Sequence, residues 1–195
     1  MFGSASVFNQ PLNSWNTSNV TNMGGMFIEA RVFNNNISNW NTQNVTDMSA
    51  MFMRCLQFNN PIGNWNTSQV TDMTSMFNGA ANFNQYIGSW NTSNVTNMSY
   101  MFAYASSFNN GLSYKPIYYN DGRRITENIN TLNWNVYNVT NMEYMFLYAS
   151  IFYNVNLNNW YTRNLSFFRG FRQTSLLQDE FTPALIKNSP SGGKM

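Results

Sequence analysis

Tryptophan recurs at residues 15, 40, 65, 90, 134 and 160, and the first three gaps are each 25 residues. Met-Phe pairs keep the same beat at 26–27, 51–52, 76–77, 101–102 and 145–146, as do Phe8, Phe33, Phe58, Phe83, Phe108 and Phe152. One unit reads F-N-x-x-I-x-x-W-N-T-x-x-V-T-x-M-x-x-M-F-x-x-A-x-x. A fixed period of this length means an array of like units, each of which hides its apolar side only against its neighbours. The chain is therefore expected to be a stack of coils.

Within one coil, Met98, Met101, Phe102, Ala105 and Phe108 have offsets of 0, 3, 4, 7 and 10, which fall on one face of a helix. The spacing predicts a short helix that stands only with stacked neighbours. The stretch 61–67, Pro-Ile-Gly-Asn-Trp-Asn-Thr, predicts a short strand pairing in parallel with its equivalents, and 68–72 a turn with Val70 inward. The expected fold is α/β, with one short parallel strand and one short helix per 25-residue coil. The tryptophans are expected inside, each indole N–H bonded to an asparagine or a turn carbonyl. Both methionine columns fit core packing. Cys55 stands where other coils have Ala30, Ala80, Ala105 and Ala149, so it is expected to be an inert buried filler.

The run W-N-T-S-N-V-T-N-M-x-x-M-F-x-x-A-x-x-F-N, at 15–34 and again at 90–109, resembles the BspA-like branch of the leucine-rich-repeat family. The likeness covers about residues 1–112 and 131–172. It implies a right-handed β/α solenoid, a role in surface attachment or protein binding, and a cell-surface, secreted or virus-encoded origin.

The organisation follows from where the pattern breaks. The repeat solenoid is assigned to 1–178, six to seven coils, and 179–195 to a short helix near 182–187 with a flexible tail. The 44-residue gap from Trp90 to Trp134 holds one period and 19 further residues. That insertion, at about 113–131, predicts a β-hairpin with Asp121-Gly122 at its turn. After Trp160 the pattern decays, with Phe168 and Phe171 in methionine positions, which reads as a capping coil at about 160–178. Met1 stands in the register of the repeat methionines with no polar cap before it. The chain is then either an excerpt or has an open end that docks on another subunit.

Chemistry is constrained mostly by what is scarce. Charged residues make up 9% of the chain, histidine is absent, and Cys55 is the one cysteine. His-based catalysis, His-ligated metals and an internal disulfide are excluded. The eight acids are scattered, and Asp47 and Asp72 share a register with Asn22, Asn97 and Asn141, so no catalytic, cofactor or metal site is expected. A net charge of +2 is too small to predict nucleic-acid binding, and no window has the apolar length of a membrane span.

The expected function is a non-catalytic binding or adhesion module for a protein or a cell-surface glycan. Its candidate surface is a neutral strip on a concave sheet, made of Asn39, Asn41, Asn64, Asn66, Ser89 and Asn91. Tyr118, Tyr119, Arg123 and Arg124 of the insertion join it, because insertions in repeat arrays often map to the binding face. A structural protein that self-associates end to end is the alternative. Ranks of threonine at 17, 42, 67 and 92, and at 21, 46, 71, 96 and 140, raise ice or lattice binding as a third.

Overall fold

The computed structural model describes residues 1–111, 117–118, 124–125, 130–152, 155–157 and 159–172. They do form stacked coils, but the coils are not made of strand and helix. Among the described residues there is no helix, and strand is confined to four two-residue pieces. These are β1 (Ile117–Tyr118), β2 (Arg124–Ile125), β3 (Asn130–Thr131) and β4 (Val155–Asn156). The expected right-handed α/β solenoid of the leucine-rich-repeat type is thereby corrected. Each coil is a chain of tight turns.

The backbone hydrogen bonds give the reason. In the stretch 48–58, the N–H groups of Met51, Met53, Cys55 and Phe58 each reach back three residues, to Met48, Ala50, Phe52 and Cys55. The alternate N–H groups leave the coil: Ala50, Phe52 and Arg54 donate to the carbonyls of Thr74, Met76 and Asn78 in the next one. No donor remains for the i−4 ladder of a helix. Two positions in each such stretch have positive φ, one rank being Gly25, Ala50, Ser75, Tyr100 and Tyr144, the other Glu29, Arg54, Gly79, Tyr104 and Tyr148. A left-handed residue every few positions is incompatible with a right-handed helix and is what the third position of a type II turn demands. We call this stretch the turn ribbon.

The predicted strand is also replaced by turns, since Trp65 N–H bonds to the Ile62 carbonyl and Val70 N–H to that of Thr67. Parallel pairing between coils survives elsewhere, as single bridges in the column Asn22, Asp47, Asp72, Asn97, Asn141 and Phe167.

Three aromatic columns run through the core. Phe27, Phe52, Phe77, Phe102 and Phe146 stack at 5.5–5.7 Å between ring centres, and Phe33, Phe58, Phe83, Phe108 and Phe152 at 5.6–6.0 Å. The two columns touch within every coil, at 3.9–4.1 Å. Tryptophans 40, 65, 90, 134 and 160 form the third and are buried as expected, whereas Trp15 in the first coil is 40% exposed. Each indole N–H donates to a turn carbonyl of the preceding coil: Leu12, Ile37, Ile62, Ile87 and Leu132 accept at 2.8–3.3 Å. That same Ile37 carbonyl also takes the Trp40 backbone N–H, so one turn oxygen serves two coils. Burying a phenylalanine stabilises by roughly 1.5–3 kcal/mol, and an aromatic pair adds about 0.5–1.5 kcal/mol. The columns thus carry most of the cohesion.

The insertion leaves this core undisturbed. Trp134 stacks on Trp90 at 6.3 Å and 5°, as regularly as coils with no residues between them. The insertion itself contains the antiparallel pair β1–β2, with Ile117 opposite Ile125 and Tyr118 opposite Arg124. Asp121 and Gly122 lie outside the described residues, as does the helix expected near 182–187. β3 pairs in parallel with β4 as the chain rejoins the stack. In the last described coil Phe171 stands in the methionine register and meets Phe146 edge-on, at 88°.

Candidate functional site

The asparagine strip is on the surface but not on a sheet, which corrects the concave-sheet expectation. Asn39, Asn41, Asn64, Asn66, Ser89 and Asn91 are all exposed. Part of their hydrogen-bonding capacity is turned inward. The Oδ1 atoms of Asn41, Asn66 and Asn91 accept the backbone N–H two residues on, closing a turn at 3.0–3.1 Å. Asn64 Nδ2 donates to the Ser38 carbonyl, and Ser89 Oγ to that of Gly63. A ligand would meet the amide N–H groups of Asn41, Asn66 and Asn91, the Oδ1 of Asn64 and the whole Asn39 amide. Of the insertion residues, Tyr118 and Arg124 are cross-strand partners, while Tyr119 and Arg123 lie outside the described residues.

Other polar columns are structural. Thr17, Thr42, Thr67 and Thr92 are buried, each hydroxyl donating to an asparagine carbonyl of the next coil at 2.9–3.0 Å. The exposed rank Thr46, Thr71, Thr96 and Thr140 donates to the threonine carbonyl of the coil before. Asn44, Asn94 and Asn138 tie back to turn carbonyls, as expected of the column before valine.

The turn ribbon presents a different surface. Its left-handed positions point outward, and what they carry changes along the stack. Tyr100 stacks on Tyr144 at 5.0 Å, and Tyr104 on Tyr148 at 5.1 Å, making a four-ring patch on two adjacent ribbons. Tyr104 is 52% exposed and Tyr148 46%. Partial burial, then the neighbouring Tyr144 and Glu143, raises the Tyr100 phenol above its ordinary value, so it stays a neutral hydrogen-bond donor.

Beside this patch lies an open groove of about 630 Å³, within the usual range for small-ligand sites. Its floor is the ribbon 73–83, where Asn78, Gly79 and Ala81 are smaller than Met53, Arg54 and Leu56 one coil back. Arg31 and Arg54 border one side and Tyr104 the other. Arg54 pairs with Glu29 at 2.6 Å; with 57% of the arginine side chain exposed, solvent screens that pair to about 1 kcal/mol or less. Arg31 is exposed and its guanidinium bonds to none of the described residues. The periodic pattern hides this site, because what makes it is departure from the repeat. The signal was available in the aligned units as Asn78-Gly79 against Met53-Arg54, and as tyrosine at 100, 104, 144 and 148.

Among the described residues no group of three histidine, cysteine or carboxylate side chains is placed to hold a metal ion. No helix of the described residues is long and apolar enough to cross a membrane.

The family model described as "Mycoplasma protein of unknown function, DUF285" matches three overlapping spans, 1–78, 33–118 and 57–182. The chain belongs to that family. The DUF285 match, together with coils that lack a strand and a helix, replaces the resemblance to BspA-like leucine-rich repeats. Overlapping matches are what a repeated unit produces, so the DUF285 chain is a repeat protein on both sequence and structural grounds. No curated protein matches it, and no solved structure does.

Proposed function

We propose that this chain is a non-catalytic binding module whose recognition surface is the outer face of the described turn ribbons between residues 23 and 152. The observation that carries this reading is the contrast between inside and outside. The core columns repeat the same rings coil after coil, whereas the outward left-handed positions run Glu29, Arg54, Gly79, Tyr104, Tyr148. A stacked scaffold would fold equally well with small residues there, as Gly25 and Ala50 illustrate in the neighbouring rank. Bulky residues with positive φ are strained and concentrate at functional sites. Exposed tyrosines offer large, rigid contact area at low entropic cost. Adhesion to a protein or glycan on a cell surface is the role such a face suits.

The test compares two faces of one molecule. Labelled protein is bound to host-cell surfaces and to arrays of glycans and surface proteins. The double change Tyr104→Ala and Tyr148→Ala should lower binding at least tenfold while circular dichroism and the thermal midpoint stay within a few degrees. Asn66→Lys with Asn91→Lys, on the strip, should leave it near the starting value. Loss in the second variant and retention in the first would place recognition on the asparagine strip instead.

A further inference from the structure

We propose that the groove over the ribbon 73–83 binds a carboxylate-bearing saccharide, with one sugar ring seated where Gly79 lacks a side chain. The inference rests on the binding-module reading and names the ligand class for its central groove.

The argument begins with the outward column Arg54, Gly79, Tyr104 and Tyr148, successive members of one rank. Tyr148 stacks on one face of Tyr104, at 5.1 Å and 22°. The opposite face of Tyr104 looks toward Gly79, where the rank has no ring to offer, and it lines the groove. The Arg54 side chain leans over Gly79, its Cγ lying 3.3 Å from where a Gly79 Cβ would stand, so the gap that remains runs from the Arg54 stem to the Tyr104 ring. That is room for one flat ring in van der Waals contact with both sides. A ligand ring placed there continues the column that Tyr104 and Tyr148 begin.

The walls select the ring. Asn78 brings an amide, Arg54 brings guanidinium donors beyond its bond to Glu29, and Arg31 brings a cation paired with none of the described residues. A purely aromatic ring would stack on Tyr104 but leave those groups unanswered, and a desolvated polar group without a partner costs free energy. A pyranose has an apolar C–H face for the tyrosine and a hydroxyl edge for Asn78 and Arg54. A carboxylate on that sugar would answer Arg31 with a charge-assisted, two-point contact of the kind guanidinium favours. The groove is shallow and open, so a single site is expected to be weak, with tight attachment arising from many copies.

The measurement uses the full chain, with isothermal titration and saturation-transfer NMR. The probes are 3′-sialyllactose and a hyaluronan tetrasaccharide, which carry their carboxylates on different sugars, with lactose as the neutral control. At least one acidic probe should bind saturably and at least fivefold more tightly than lactose. Gly79→Tyr puts into the gap a side chain that the same rank carries at Tyr104 and Tyr148; its Cβ would meet the flexible Arg54 Cγ at 3.3 Å, so it should fold with a lowered thermal midpoint and abolish binding. Arg31→Gln should erase the preference for the acidic probe over lactose.

The inference is overturned if neither acidic probe binds, if lactose binds equally well, or if folded Gly79→Tyr binds as before. Should the acidic probes fail while Tyr104→Ala with Tyr148→Ala still abolishes attachment to cells, the saccharide assignment falls and the recognition face stands. Should a probe bind as described while that double variant attaches to cells normally, the groove stands and the wider reading falls.

Discussion

Ten non-glycine residues among those described hold a backbone angle that suits glycine, among them Ala50 at φ 51° and Tyr104 at φ 59°. A side chain in that region costs about 1–2 kcal/mol. Ala50 is half-buried and gives nothing visible in return, and Gly25 fills the same rank one coil earlier. Ala50→Gly is therefore expected to raise stability by about 0.5 kcal/mol, after the entropic cost of glycine in the unfolded chain; urea denaturation would read it. Cys55 is the other residue whose chemistry is set by its column. Its thiol is fully buried, donates to the Phe27 carbonyl at 2.8 Å, and is pushed by burial from 9.0 up to about 12. Because the folded chain holds this proton more tightly than the unfolded one, its contribution is intact below pH 9 and is lost progressively as pH rises from 9 toward 12. Cys55→Ala, a residue that four other coils carry, should cost under about 1 kcal/mol at pH 7. Its stability should also fall less steeply above pH 9 than that of the parent chain.

At the scale of an element, the bridge column shows how little chemistry the repeat needs from its acids. Asp47 and Asp72 are bridged partners, and each Oδ1 accepts the N–H two residues on at 2.8 Å, as the Oδ1 of Asn97 does at 3.0 Å. Two like charges side by side on neighbouring coils repel. Asp72→Asn keeps the turn bond and removes the repulsion, so a gain of about 0.5 kcal/mol is expected, larger at low salt; thermal melts at two ionic strengths would check both. The same ribbons mark the limit of reading periodicity. Offsets of 0, 3, 4, 7 and 10 put five side chains inward in a helix, and they do so equally in a ribbon of turns. What separates the two is the sign of φ at residues 25, 50, 75, 100 and 144, where glycine, alanine, serine and tyrosine stand with no common signature. Burial of Trp40, Trp65 and Cys55 was legible because it follows from the period alone. The groove was not, because Gly79 matters through the side chain it lacks beside Arg54 and Tyr104, which only the stacking order reveals.

For the whole molecule, each coil touches only those next to it, so stability is close to a sum of coil and interface terms. The insertion stands outside that sum, since the columns Trp90–Trp134, Phe102–Phe146 and Phe108–Phe152 pass it unbroken. Deleting residues 111–129 returns the 44-residue tryptophan gap to 25. The shortened chain is expected to unfold in one transition, with a midpoint within a few degrees of the parent by calorimetry, because the aromatic columns that carry the cohesion are kept and the closed loop is shorter. Along this axis the pairs Trp15–Trp40, Trp40–Trp65, Trp90–Trp134 and Trp134–Trp160 lie nearly parallel, 6.0–6.4 Å apart and within 12°. At such separations excited indoles exchange energy faster than they emit. Light absorbed at one end of the row therefore leaves from anywhere along it, and the coupled rings give the protein a near-ultraviolet dichroism unlike that of separate chromophores. Breaking the row at one coil would show in that spectrum before any change in overall shape.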